Sequence, residues 1–329
     1  MSVMMLDGEN MPFRMANVAR PTAHGGEVLV RIHASGVNPL DTKIRAGAAA
    51  HARHPLPGVL GIDLSGVVED VGSGVPRFRR GDEVYGMTGG VGGVQGSLAE
   101  YAAVDAELLA LKPGNLSMRE AAALPLVVIT AWEGLVDRAR VKAGQRVLVQ
   151  GGGGGIGHVA IQIARAFGAE VFAADRASGA EALRAIGATP IDRTMPVQEQ
   201  VQAFTGGRGF DLVFDTVGGA VLDSSFAAIA RFGHVVSALG WGAHSLAPLS
   251  FRAGTYSGVF TLLPLLSGEG RARHGEILRE ATKLIEAGKL VPRLDPRVFN
   301  LSEADAAHAA VVAGGGAGKI VVSVNTGGG

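Results

Sequence analysis

The sequence predicts an α/β chain in which a β-rich domain is joined to a doubly wound parallel sheet. Three observations carry that expectation. A short apolar run, Arg146–Gln150, leads straight into five consecutive glycines, Ile156 and Gly157. From there on, strand-like and helix-like segments alternate, most of the helices closing on a glycine. Ahead of it, from 27 to about 111, short strand-like runs are split by turn residues.

The glycine run comes first. Gly152, Gly154 and Gly157 fit G-x-G-x-x-G, the turn that brings a dinucleotide pyrophosphate onto a helix N-terminus. Five glycines in a row allow more than one register, and Gly154, Gly155 and Gly157 are common to the variants of the fingerprint. Beyond them Ile156, Val159, Ala160, Ile163, Ala164 and Phe167 line one face of a helix, and Gly168 stands where a helix end tolerates positive φ. A second buried strand over 171–174 closes on Asp175, eighteen positions after Gly157, where an acid meets ribose hydroxyls. Strand, turn, helix, strand and acid agree on a Rossmann-type dinucleotide site. Further strands are expected near Ile191, Val213, Val236 and Phe260, with helices over 179–186, 197–204 and 221–229 ending on Gly187, Gly206 and Gly233.

The flanking segments read as follows. Strands are expected at 28–32, 66–71, after the turn at Gly81-Asp82, and at 98–104. Ser117 with Glu120 makes a capping box that opens a helix, and a second helix runs from about 129 to 138. After about Pro264 come a helix over 277–287, a strand at 297–299, a helix over 303–312 and a final strand over 319–324. That last strand is expected to return to the first domain, so the dinucleotide domain is an insertion. The expected division is 1–118, 119–264 and 265–329.

Composition narrows the classes. Lys+Arg and Asp+Glu are both 30, a formal charge of zero, so no long-range field draws in nucleic acid or an anionic membrane. No uninterrupted apolar stretch approaches the ~20 residues of a membrane span. The start lacks the basic and apolar regions of a signal peptide, which makes a cytoplasmic location the expectation. With no cysteine, there are no disulfides, thiolate metal ligands or thiol nucleophiles. His51 and His54 are the nearest histidine pair, and in a Pro/Ala-rich loop they are expected to be solvated; no metal site is expected. The glycine-rich stretch 89–96 is expected to be a mobile wall, because ordering residues without side chains is entropically costly.

Several stretches together resemble the medium-chain dehydrogenase/reductase superfamily, in its zinc-independent, quinone-oxidoreductase-like branch. They are 36–47 (GVNPLDTKIRAG), 57–68 (PGVLGIDLSGVV), 81–84 (GDEV), 121–125 (AAALP) with Thr130-Ala131, the glycine turn, 210–218 (FDLVFDTVG) and 318–321 (GKIV). They cover nearly the whole chain in order. The resemblance implies that the β-rich part is a GroES-like catalytic domain. Zinc-dependent members carry a cysteine where this chain has Asn38 and a histidine where it has Ile62, so neither zinc of that family is expected.

Without a Lewis acid to hold an alkoxide, the chemistry best suited to such a protein is hydride delivery to an activated alkene or quinone. The expectation is an NAD(P)H-dependent reductase of quinones or α,β-unsaturated carbonyls, with a small molecule as its partner. Two alternatives stand beside it: an enoyl-thioester reductase, and a nicotinamide-binding protein without turnover. The resemblance implies that Asn38 and Asp41 lie near the nicotinamide. Lys43 takes a position where a tyrosine is frequent, and Tyr256 is a candidate proton donor. It further implies cofactor contacts from Thr130, from Val217-Gly218 and Leu239-Gly240 beside the ribose and carboxamide, and from Lys319. Asp175 favours NAD(H), since a carboxylate repels a 2′-phosphate. Arg176 favours NADP(H), and Arg193 lies near a position where relatives place a phosphate-contacting tyrosine. The cofactor is therefore NADP(H) or NAD(H). A homodimer through an edge strand near 258–262 is also implied.

Overall fold

The computed structural model describes residues 1–314 and 316–325. Its first segment holds β1 (Ser2–Leu6), β2 (Phe13–Asn17), β3 (Glu27–Gly36), α1 (Pro39–Arg45), β4 (Gly58–Val59), β5 (Asp63–Val71), β6 (Glu83–Met87), β7 (Tyr101–Asp105), β8 (Leu109–Leu111) and α2 (Met118–Ala122). The second holds α3 (Pro125–Trp132), β9 (Arg146–Gln150), α4 (Gly155–Ala166), β10 (Glu170–Asp175), α5 (Ala180–Ala185), β11 (Thr189–Asp192), α6 (Val197–Thr205), β12 (Phe210–Asp215), α7 (Ala220–Ala228), β13 (Ile229–Ser237), α8 (Ala247–Ser250) and β14 (Thr255–Gly258). The third holds α9 (Leu263–Ser267), α10 (Arg271–Glu286), β15 (Phe299–Asn300), α11 (Ala304–Ala313) and β16 (Val321–Ser323).

The chain divides into two compact units, Met1–Leu126 with the residues from Leu262 on, and Val127–Thr261. In the first, β3 is the spine: it pairs antiparallel with β5 and β7 and, at its far end, with β16. Val28, Val30 and Ile32 alternate into a core with Leu64, Val68, Val84 and Val104, as a strand period of two requires. The closing strand thus returns to the first domain, Val321 facing Gly36.

The second unit is a six-stranded parallel sheet in the order β11-β10-β9-β12-β13-β14. The order reverses between β9 and β12, and ligands of such sheets bind at the carboxyl ends beside that point. The strands are apolar over their length because helices cover both faces, and Leu148, Phe172, Val213 and Val235 form their common core.

Five expectations are corrected. Residues 119–126 lie with the first unit, because Ala122 and Ala123 pack on Ala34 and Val321, and Ser65 Oγ donates to the Met118 carbonyl at 2.6 Å. The helix expected from 129 begins at Pro125, which suits a first helical position, and continues from Glu133 as a wider turn with Gly134 against Phe214. The edge strand expected around Phe260 is Thr255–Gly258, and Phe260 instead meets Trp241 edge-on at 6.0 Å. Gly233 closes no helix, since α7 runs directly into β13. The strand expected at 297–299 also starts late, because Asp295 holds both the backbone N–H and the guanidinium of Arg297 in a turn.

Candidate functional site

Two constellations carry chemistry, one in each unit. In the second unit Gly151 has φ +76°, and a Cβ there would come within 2.7 Å of Thr216 Oγ1. A Cβ on Gly152 would meet that of Ala173 at 2.7 Å, and one on Gly157 would stand 2.2 Å from the Gly151 carbonyl oxygen. Glycine is therefore required at 152 and 157 for helix α4 to lie against β9 and β10, while 153–155 are exposed at the helix N-terminus. Gly154 is the N-cap, Gly155 opens the helix and Ile156 is half-buried behind it. The N–H groups of Gly155, Ile156 and Gly157, the first turn of α4, have no intrahelical acceptor and fit a dinucleotide pyrophosphate. The positive-φ residue, Gly151, was missed from sequence, although a glycine directly after a strand is its signal.

At the ends of β10 and β11, Asp175 and Asp192 are register partners, each followed by an arginine. Asp175 accepts from Gly153 N at 2.6 Å and from Arg176 N at 2.7 Å, so both of its oxygens are engaged. Arg176 and Arg193 are exposed, and neither guanidinium has a partner among the described residues.

The loops after β12 and β13 are tied by Asp215, fully buried. It accepts from the N–H groups of Val217 (3.1 Å) and Gly218 (3.0 Å) and from Ser237 Oγ (2.7 Å), which in turn accepts from Leu239 N at 3.1 Å. The strand-terminal Asp215 and Ser237 were not singled out from sequence. Tyr256 lies on edge strand β14, edge-on to Phe226 at 5.7 Å, and its hydroxyl is so near the Gly240 Cα that a Cβ there would be 2.1 Å away. Burial raises its pKa. Thr130 is buried and its Oγ1 pairs with Thr261 Oγ1 at 2.9 Å.

The polar cluster of the first unit is built on Asn38, the N-cap of α1. Its backbone N–H donates to Asp41 Oδ2 at 2.8 Å, half of a capping box. Its side-chain Nδ2 donates to Asp63 Oδ2 at 2.9 Å, and the other Asp63 oxygen accepts from Leu126 N at 2.9 Å. Lys319 Nζ donates to the Asn38 side-chain oxygen and, at 3.2 Å, to the Val37 carbonyl. Asn38, Asp41 and Asp63 are at most 1% exposed. Burial pushes the Asp41 carboxyl up to about 7 and that of Asp63 up to about 6, and burial lowers the Lys319 ammonium. Lys43, expected beside Asn38 and Asp41, instead points to solvent, because its place on α1 is on the outer face. The cation of the cluster is Lys319. Asp63 was quoted from sequence only as part of a motif; a lone carboxylate opening the apolar strand β5 was the available signal.

The stretch 89–96 is less open than expected. Gly89, Gly90 and Gly96 are buried, and a Cβ on Gly89 would be 2.0 Å from the Gln95 carbonyl oxygen. These glycines permit close backbone approach, and only Gly92 and Gly93 are exposed. His54 is not solvated either: both ring nitrogens are buried without a partner.

Two units of this architecture, a dinucleotide turn and a buried Asn–Asp–Lys cluster define a nicotinamide-dependent oxidoreductase. Residues 24–114 match the alcohol dehydrogenase GroES-like domain, and 186–322 the zinc-binding dehydrogenase domain. The chain is 37% identical over 315 residues to 2-methylene-furan-3-one reductase of Solanum lycopersicum, covering 93% of this chain and 74% of that protein. It is 35% identical, with the same coverage, to the chloroplastic NADPH-dependent alkenal/one oxidoreductase of Arabidopsis thaliana. Among solved structures, an alcohol dehydrogenase superfamily protein from Novosphingobium aromaticivorans superposes with TM-score 0.97 at 58% identity, covering 98% of this chain and 99% of that one. The chain belongs to the medium-chain dehydrogenase/reductase superfamily, in its enone- and quinone-reductase-like branch.

The residues present do not fit the zinc after which one matching domain is named. Asn38 is occupied by Asp63 and Lys319, Ile62 is a fully buried aliphatic side chain, and the chain has no thiolate. Among the described residues, no three His, Cys, Asp or Glu converge. No helix among them is long and apolar enough to cross a membrane.

Proposed function

We propose that this protein reduces the activated C=C bond of α,β-unsaturated carbonyl compounds, or quinones, at the expense of NADPH. The observation that carries the reading is the Asn38–Lys319 pair held over two buried carboxylates. When bound, the reduced nicotinamide supplies the hydride. The chain's own residues have to meet the charge that then gathers on the substrate oxygen. Lys319 has three N–H donors and spends two, on Val37 and Asn38, which leaves one for a ligand oxygen. Such a donor, fixed in place before the reaction, is the economical way to stabilise an enolate or hydroquinone anion without a metal. Asp41, with its carboxyl near 7, holds a proton for much of the time at neutral pH and limits the negative charge around Lys319.

The choice of NADPH over NADH rests on Arg176 and Arg193. Asp175 has both oxygens engaged by backbone N–H groups, which leaves it poorly placed to receive a ribose hydroxyl, whereas the two guanidinium groups are free for a 2′-phosphate. The enoyl-thioester alternative would call for free basic side chains to meet a carrier's phosphates, and Arg45 is instead paired with Asp305 and stacked over Phe13.

A homodimer through the free edge of β14 is part of the same proposal. Phe232 and Phe251, both more than 80% exposed, adjoin that strand's start and are linked through Phe232 N to the Arg252 carbonyl. The test of the function is oxidation of NADPH and NADH with 1,4-naphthoquinone and methyl vinyl ketone. Turnover of neither acceptor with either cofactor would end the proposal.

A further inference from the structure

We infer that Asp63 is a positioning residue of this reductase: its carboxylate decides which way round the Asn38 amide stands, and through that amide it holds the Lys319 ammonium. The inference deepens the reading that Lys319 and Asn38 serve the substrate, and rests on it.

The geometry leaves little freedom. Asp63 is fully buried at the start of β5, with one oxygen held by Leu126 N and the other facing Asn38 Nδ2 at 2.9 Å. Its carbonyl oxygen accepts from Ser97 Oγ at 2.8 Å, and that hydroxyl pairs with Ser35 Oγ at 2.7 Å, so the backbone is fixed as well as the side chain. A carboxylate offers only acceptors, so the amide opposite it must present its NH2. The amide oxygen then faces the other way, and there it receives Lys319 Nζ. Turned over, the amide would set oxygen against the Asp63 oxygen and NH2 against the ammonium. Both contacts would be repulsive, in a site too dry for water to relieve them. Lys319 thus donates to Asn38 and Asn38 to Asp63, which also accepts from Leu126 N, while a second Lys319 donor goes to the Val37 carbonyl. The polarity at 63 sets the direction of all of it. Asp41 accepts from the Asn38 backbone N–H and is only the weaker neighbour of its amide, whereas Asp63 accepts directly from the amide NH2, which is why Asp63 carries the role.

The test is Asp63→Asn, nearly the same shape but able to face Asn38 with either an acceptor or a donor. Beside it goes Asn38→Ala, both assayed with NADPH and 1,4-naphthoquinone. D63N is expected to lower kcat about 10- to 100-fold, the usual cost of a displaced group. The NADPH dissociation constant should stay within twofold, and the acidic limb of the kcat–pH profile should move. If N38A is slow while D63N keeps its kcat and its profile, the inference is overturned and the functional reading stands. If N38A is as fast as wild type, the reading of the site itself fails, and the inference with it. Should D63N not fold, the wild-type protein decides by NMR. The Asn38 side-chain NH2 signals, assigned by their loss in Asn38→Asp, should exchange slowly with solvent and shift as one carboxylate titrates. Exchange at the rate of a free amide overturns the inference.

Discussion

Lys319 and Asn38, 281 positions apart in sequence, share a hydrogen bond between ammonium and side-chain oxygen in the first unit. The pairing exists because β16, at the end of the chain, lies antiparallel to the end of β3, which brings Ile320 O onto Val37 N. Lys319→Met removes the ammonium and keeps the length of the stem. It is expected to lower kcat about 100-fold with NADPH affinity unchanged, the scale on which one preorganised donor counts. Since Lys319 also draws the Asp63 and Asp41 carboxyls down, their titration should move further up in the variant. A kcat within twofold of wild type would remove Lys319 from the account of the reaction.

Asp41 gives a stability prediction with a definite sign. Its pKa is raised from 3.8 when unfolded to about 7 when folded, by burial first and then by the neighbouring Asp63 carboxylate. The native state therefore holds the proton more tightly. The associated stability is fully present below the unfolded pKa and is lost as pH rises through about 7. Asp41→Asn should flatten that loss, with a gain on the order of 4 kcal/mol at pH 8.5 that vanishes at pH 4. Melting curves of wild type and variant that run parallel from pH 4 to 8.5 would refute it.

Much of this fold was legible in sequence because its signals are local. The turn at 151–157, the capping box at Ser117 and Glu120, and the glycines ending α4, α5 and α6 each follow from what a few neighbouring residues can do. The polar cluster was legible only in part. Asn38 and Asp41 are three residues apart and stood out together; Asp63 and Lys319 join them through strand pairing that no local pattern announces. Lys43 illustrates the reverse error. It is near Asn38 in sequence, but one short helix turns it outward. The edge strand was misplaced for a similar reason: Phe260 has the hydrophobicity of a strand residue and spends it on Trp241 instead.

The paired arginines predict cofactor choice. Arg176→Ala and Arg193→Ala should each raise the KM for NADPH about tenfold, the equivalent of roughly 1.4 kcal/mol of lost phosphate contact, and leave the KM for NADH unchanged. The effect should shrink at high salt, because both side chains are exposed. Equal losses for the two cofactors would mean that neither arginine reads the 2′-phosphate.

His244 supplies a pH-dependent hold on the loop after β13. Its Nδ1 lies 2.9 Å from Asp223 Oδ1 and its Nε2 3.1 Å from the Trp241 carbonyl oxygen. Both partners are acceptors at these contacts, so only the doubly protonated imidazolium satisfies both. The Asp223 carboxylate first, and then the Trp241 carbonyl, accordingly raise its pKa above 6.5. A raised histidine contributes fully below its unfolded pKa, and the contribution is lost as pH rises through the folded value, so the loop should loosen on the alkaline side of 6.5. The chain has two tryptophans: Trp132 is buried and Trp241 is 54% exposed, so Trp241 can report the change. With Trp132 replaced by Phe, the remaining fluorescence should titrate with one proton above pH 6.5, and His244→Gln should abolish that titration. A titration that survives in His244→Gln would show that another group governs the loop.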